Sequence, residues 1–238
     1  MIPVSLPPVP TDFDRAVRQE GLAHLREQGQ DPAQPPASGS LWKLRRIDAC
    51  GAASTAEYWQ RAREDLRAGY HNRCVYSCFV TETERLADGR EQSGHSIDHF
   101  EPKSRAAASR AYDWDNLRWA WRVIDNEGKR DHWIPSDHDP TELKLPMLQL
   151  AEDVHGNWLV VPDPNLEESE QKRLSETIGL LGLNLRKVVL RRNAFVEDFL
   201  NNGLEYGADW MQQRQPFVYH ELRRIFGVWA AQLASASP

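Results

Sequence analysis

Nowhere in its 238 residues does the chain hold a run of about eighteen apolar residues, so a membrane-crossing helix is not expected. Cysteine is scarce. Cys50, Cys74 and Cys78 are too few for a disulfide scaffold at this length and suit a reducing cytoplasm. The first residues, Met1-Ile2-Pro3-Val4-Ser5-Leu6-Pro7-Pro8, lack the basic and apolar regions of a secretory signal, so none is expected there. An excess of positive charge is missing too: the formal net charge is −6, whereas nucleic-acid-binding domains are usually basic. No internal repeat is visible.

What is present is a globular composition. Hydrophobic residues are 40% and charged residues 27%, which excludes a disordered chain and allows a sizeable core in one or two domains. Charge is uneven. Lys103, Arg105, Arg110, Arg118, Arg122, Lys129 and Arg130 face only Asp113, Asp115, Asp125 and Glu127 across the same window. This is a basic stretch inside an acidic chain. The acidic remainder either keeps the chain dispersed or meets a protein partner.

The pattern predicts an α+β fold in three stretches: 1–69, 70–140 and 141–238. Pro3, Pro7, Pro8 and Pro10 predict an extended arm. Phe13, Ala16, Val17, Leu22 and Leu25 follow helical spacing, with Gly21 a weak point. Residues 29–40 read as a linker, and Leu41-Trp42-Lys43-Leu44 as a short helix. Ser54-Thr55-Ala56-Glu57 has the form of a capping box opening a helix that Gly69 ends. Cys74 to Val80 reads as a short strand, Asp88-Gly89 as a hairpin turn, and Ser96 to Phe100 as a strand.

Leu117 onward predicts a passage from strand to helix, and the proline-rich stretch after Arg130 a loop over the hairpin. A strand follows at Asn157–Val161 behind the His155-Gly156 turn. Asn165 and Asn184 are expected N-caps of helices stopped by Gly182 and Gly203, and Pro216 opens the last helix.

The chemistry concentrates between Asp98 and Arg130. A phosphodiesterase working with one divalent ion needs oxygen or nitrogen ligands that leave the ion open, a base for the attacking water, and cations around the phosphate. Asp98 is a natural hard ligand, and His99 a natural base because imidazole titrates near neutrality. Asn126 offers an amide oxygen from a helix. Lys129, one turn on, is expected on the same face, with Lys103 and Arg130 as further phosphate contacts. Asn116 is suited to clamping the loop that carries His99.

Taken singly, an Asp-His pair is an ordinary polar edge pair, and Asn-x-x-Lys an ordinary solvated helix face. His132 and His138 are alternative ligands with a blander reading as loop histidines. Trp133 is the tryptophan expected to touch a base or sugar.

Joined in order, these residues resemble the HNH endonucleases, the ββα-metal nucleases. Ser96-Ile97-Asp98-His99-Phe100-Glu101-Pro102-Lys103-Ser104 resembles the family's first segment, Trp114-Asp115-Asn116-Leu117 its W-x-N-L, and Asp125-Asn126-Glu127-Gly128-Lys129 its C-N-x-x-K element. The resemblance implies a ββα hairpin core between an N-terminal helical arm and a C-terminal helical cap. It gives His99 the general-base role, Asp98 and Asn126 the metal, and Asn116 the loop-orienting role.

It also implies a Mg²⁺ or Mn²⁺ cofactor and a DNA substrate. Residues 155–200 resemble, more weakly, the extension of PtuB-type nuclease subunits of Septu-like and retron-associated anti-phage systems, which implies a PtuA-like ATPase partner and a homo- or hetero-oligomer. The family's four-cysteine zinc knuckle is incomplete: Cys74 and Cys78 remain, with an extra residue between them, while Arg122 and Asp125 stand where the second pair would be. An all-cysteine zinc site is therefore not expected, although His71 or His95 would be the residues to complete an irregular one. The rival reading is a scaffold of the same fold that binds nucleic acid or an ATPase without cutting.

Overall fold

The computed structural model describes residues 3–36, 45–47, 53–55, 57–80, 84–85, 91–92, 94–143 and 146–235. The expected helix at Leu41–Leu44 and the Asp88-Gly89 turn lie outside the described residues. The fold is α+β, with small antiparallel sheets among many helical segments. Helix α1 (Glu20–Glu27) continues a π-helical turn, Asp14–Gln19. Strand β1 (Arg45–Ile47) pairs with β2 (Ala53–Thr55). Then come a 3-10 turn at Tyr58–Ala62, helix α2 (Arg63–Gly69), and the short pair β3 (Glu84–Arg85) and β4 (Glu91–Gln92).

Strand β5 (His95–His99) pairs with β6 (Leu117–Trp121), and a π-helical turn follows at Ile124–Lys129. Strand β7 (Leu148–Glu152) pairs with β8 (Trp158–Pro162). Three helices close the chain: α3 (Glu168–Leu181), α4 (Arg186–Arg214) and α5 (Pro216–Ser235). One hydrophobic cluster runs from Phe13 through Trp59, Phe79, Trp119 and Ile134 to Leu222, so all three sequence stretches pack around a shared core.

The proline-rich arm lies along the body. Val4 donates its backbone N–H to Pro140, and Pro7 accepts from the Trp114 indole at 2.7 Å. Gly21 is a packing site rather than a weak point, because a Cβ there would collide with the Tyr112 ring. Ser54 and Thr55 are strand residues of β2, and the helix they were expected to cap begins at Tyr58 without a side-chain cap. Pairing with β1 uses the backbone that a cap would need.

Cys74 to Val80 is a tight turn, not a strand. The Cys74 carbonyl accepts from Cys78, Cys78 has φ +59°, and only Arg73 and Val80 form a bridge. Its β-rich composition reflects burial against Trp119, whose carbonyl accepts from Val75.

Three expected helix signals fail for a common reason. Asn165 bonds back to the Asp163 carboxylate, and α3 starts later, at Glu168. Asn184 gives its amide to both the N–H and C=O of Val160, acting as a strand neighbour at the edge of β8. Gly203 is passed without a break. Local side-chain bonds and tertiary packing outweigh propensities worth under about 1 kcal/mol.

The helical turn at Ile124–Lys129 is set against α3 by glycines. Gly182 ends α3 at φ +64°, and a Cβ at Gly128 would strike the Leu181 carbonyl. The Gly128→Ala variant is expected to lose roughly 1–3 kcal/mol, because backbone has to move to admit the methyl. Thermal unfolding checks this, at about 2–4 °C lost per kcal/mol in a chain this size.

Candidate metal and phosphodiester site

Strand β5 places Asp98 opposite Arg118 and His99 opposite Leu117. Both side chains are almost fully buried, at 3% and 4% exposure. A bare carboxylate at that depth would cost several kcal/mol, and Asp98 is not bare. The Tyr76 hydroxyl donates to its Oδ2 at 2.5 Å, and the Lys129 ammonium donates to Oδ1 at 3.0 Å. Lys129 also donates to the His99 carbonyl at 2.6 Å. The turn at 74–80 and the turn at 124–129 thus grip one carboxylate from opposite sides.

His99 is fixed by its ring. Nε2 lies 3.1 Å from the Ala111 carbonyl, which can only accept, so a neutral ring carries its proton on Nε2 and leaves Nδ1 as the free acceptor. Trp59 meets the ring edge-on at 4.9 Å. Burial, then the Lys103 and Lys129 charges, hold the imidazole well below its usual range, so it is neutral near pH 7. Asn116 is fully buried: its Oδ1 accepts from the Glu101 N–H, and its Nδ2 donates to the carbonyls of Glu101 and Arg110. It ties the end of β5 to the loop at 101–116, the one that also supplies Ala111.

A cleft of about 270 Å³ is lined by Asp98, His99, Lys103, Asp125, Asn126 and Arg130, together with Ile97, Pro102 and Asp131. Of the residues expected to act together, Asp98, His99, Lys103, Asn126 and Arg130 share one cavity, which Asn116 and Lys129 do not line. Two depart from expectation. Asn126 and Lys129 do not share a face: Asn126 is exposed, whereas Lys129 is fully buried in its ion pair with Asp98. The wider winding of a π turn separates residues three apart more than an α-helix does. Lys129 is accordingly a structural cation rather than a surface phosphate contact. Arg130 is exposed and donates to the Asn126 carbonyl, and Lys103 reaches over the Trp59 ring at 4.4 Å.

Asp125 is the residue that sequence reasoning passed over. It lines the cleft half-buried, and burial followed by repulsion from Asp98 pushes its carboxyl up to about 7. Its position, one before the expected ligand, was the available signal. The donors in the cleft are all oxygen on the Asp98, Asp125 and Asn126 side, which suits a hard cation such as Mg²⁺ or Mn²⁺.

A second grouping, Asp137, His138 and Glu170, has ligand atoms within 4.8 Å of one another. Both His138 nitrogens are taken, by Thr177 and Glu170, and Arg173 pairs with both carboxylates. It reads as an ion-pair network pinning the loop to α3. His132 and Trp133 are exposed. Cys74 and Cys78 are buried thiols, and burial pushes Cys78 up to about 12.

His95 stacks on Trp119 at 4.7 Å, and burial, then Arg191 and Arg63, lower it to about 3. Unfolded, it takes a proton below about 6.5; folded, it does not until about 3. Its contribution is complete above about 6.5 and is lost as pH falls through that window. Urea unfolding of His95→Gln at pH 7.5 and 4.5 is expected to show the wild-type advantage shrinking by roughly 2–3 kcal/mol on acidification.

No protein-family model and no curated protein sequence matches the chain. No helix among the described residues is long and apolar enough to cross a membrane.

Proposed function

We propose that this chain is a metal-dependent endonuclease of the HNH, ββα-metal class, hydrolysing DNA phosphodiester bonds. The observation that carries the reading is the pairing on β5: a carboxylate lining an oxygen-donor cleft, and beside it a neutral imidazole whose Nδ1 has no hydrogen-bond partner among the described residues. In this reading Asp98 and Asn126 hold Mg²⁺ or Mn²⁺, which when bound would stabilise the leaving 3′ oxygen. His99 Nδ1 takes the proton of the attacking water, and Nε2–H on Ala111 keeps the ring in the tautomer that can do so. Asn116 holds the loop in place. Lys103 and Arg130 draw the phosphate backbone to the cleft, with an affinity that falls as salt rises. Trp133 (47% exposed), close in sequence to the cleft residues Arg130 and Asp131, is available to meet a base or sugar.

A PtuA-like ATPase, in a cytoplasmic anti-phage system, is the partner this reading favours for targeting, and it rests on the family resemblance alone. The rival, a scaffold that binds without cutting, is favoured by one observation: Lys129 occupies Asp98 Oδ1 with an internal cation. Supercoiled plasmid incubated with the chain and Mn²⁺, with and without the ATPase, separates the two. Nicked or linear product supports the nuclease. Intact plasmid under every condition supports the scaffold.

A further inference from the structure

We propose that a second cavity, between the N-terminal arm and the turn at 74–78, binds a small organic anion with a carboxylate or phosphate-monoester head and an apolar body. The cavity holds about 280 Å³ and shares no lining residue with the cleft. Pro3, Val4 and Ser5 of the arm close one side, and Pro216, the first residue of α5, closes another. His71 and Asn72 take left-handed φ values of +52° and +57°, a conformation uncommon for residues that carry a side chain. Around that reversal Tyr70, His71 and Arg73 all line the cavity.

Charge decides the class of occupant. Arg73 brings a guanidinium to the wall, and its Nε is sealed from solvent without a hydrogen-bond partner among the described residues. No Asp or Glu is among the described residues that line the cavity, although the chain as a whole carries a net charge of −6. The positive charge of Arg73 acts on the Cys78 thiol in the same wall, so its field falls inside the cavity. An unmade donor at that depth is costly, and the planar fork of a guanidinium matches the oxygens of a carboxylate or phosphate. The Ser5 hydroxyl and the His71 imidazole are further polar groups at the wall, and Val4, Val75 and Pro216 offer apolar surface to the body of the ligand. The volume lies near the low end for ligand pockets, roughly 300–1,000 Å³, which selects a small molecule over a stretch of nucleic acid. Cys74, Val75 and Cys78 belong to the turn whose Tyr76 donates to Asp98, so the occupant braces the turn that holds the carboxylate of the cleft.

The test titrates phenyl phosphate, benzoate and benzyltrimethylammonium into the full chain, followed by calorimetry and by hydrogen exchange. At least one of the two anions is expected to bind, and the cation of similar size is not. The tighter of the two anions identifies the head group. Amide exchange is expected to slow at residues 70–80 and to stay unchanged at 97–103 and 125–131. Arg73→Gln is expected to weaken anion binding about tenfold or more, whereas Arg130→Gln, at the cleft, leaves it unchanged. Arg73→Lys keeps the charge without the fork; its affinity is expected between those of wild type and Arg73→Gln, and it decides the matter if Arg73→Gln does not fold. Equal uptake of the cation, anion binding untouched by both Arg73 variants, protection confined to the cleft, or no uptake of either anion at millimolar concentration would each overturn the site.

Discussion

On the proposed reading, His99→Ala slows plasmid cleavage by roughly 10²–10⁴-fold, the range a positioned general base contributes. The loss is expected in the rate and not in DNA affinity, since Lys103 and Arg130 remain at the cleft. Circular dichroism should show an intact fold. Among the described residues the ring makes a hydrogen bond to Ala111 and an aromatic contact with Trp59, so its removal leaves a small cavity rather than an unpaired charge. His99→Gln is the informative companion. A carboxamide donor can restore the bond to Ala111 without supplying a base, so it should recover stability and not activity. Equal cleavage by wild type and His99→Ala would remove the imidazole from the reaction.

The largest loss of stability is expected from Asp139→Ala. Arg118 lies in the middle of β6 with 2% exposure, and its guanidinium donates to both Asp139 oxygens, to Thr141, and to the carbonyls of Asp115 and Leu117. Removing Asp139 leaves a buried charge without its counter-ion, which typically costs about 3–5 kcal/mol. In a chain of this size that is a fall of roughly 6–20 °C in melting temperature. The contrast with Arg173, whose pairs with Asp137 and Glu170 sit at the surface, decides the mechanism. Arg173→Ala should cost about 1 kcal/mol or less, because exposed pairs are screened by water and salt. Comparable losses in the two variants would mean that the Arg118 pair is not sealed from solvent. The pair also fastens the loop after Arg130 onto the hairpin, so the loss should open the cleft to hydrogen exchange.

The hairpin was legible because its pattern is local. The alternation in the expected strand Ser96 to Phe100 and the largely apolar stretch from Leu117, read as a passage from strand to helix, fall on β5 and β6, whose register sets Asp98 and His99 beside the start of β6 that follows Asn116. Pro216 and Gly182 were legible for the same reason, each acting through its own backbone. What the sequence hid was non-local. Asn184 resembles a helix cap until Val160 is beside it. Strand β7 has little alternation of its own and is defined by β8 and by Glu221, which accepts from the Leu150 N–H. Cys74–Val80 has strand composition, but it is folded into a turn that delivers Tyr76 to Asp98. In the cleft itself, the change from α to π winding moved Lys129 inward and left Asp125, not Asn126, half-buried beside Asp98. Residue spacing alone does not reveal a change of winding.

The most direct measurement is the anomalous scattering of a crystal of the full chain soaked in Mn²⁺. A peak in the cleft is expected within about 2.0–2.6 Å of oxygens from Asp98 and Asn126. It should lie in the cavity that His99 also lines. A crystal that shows no ion there, or shows it only at Asp137, His138 and Glu170, would contradict the account.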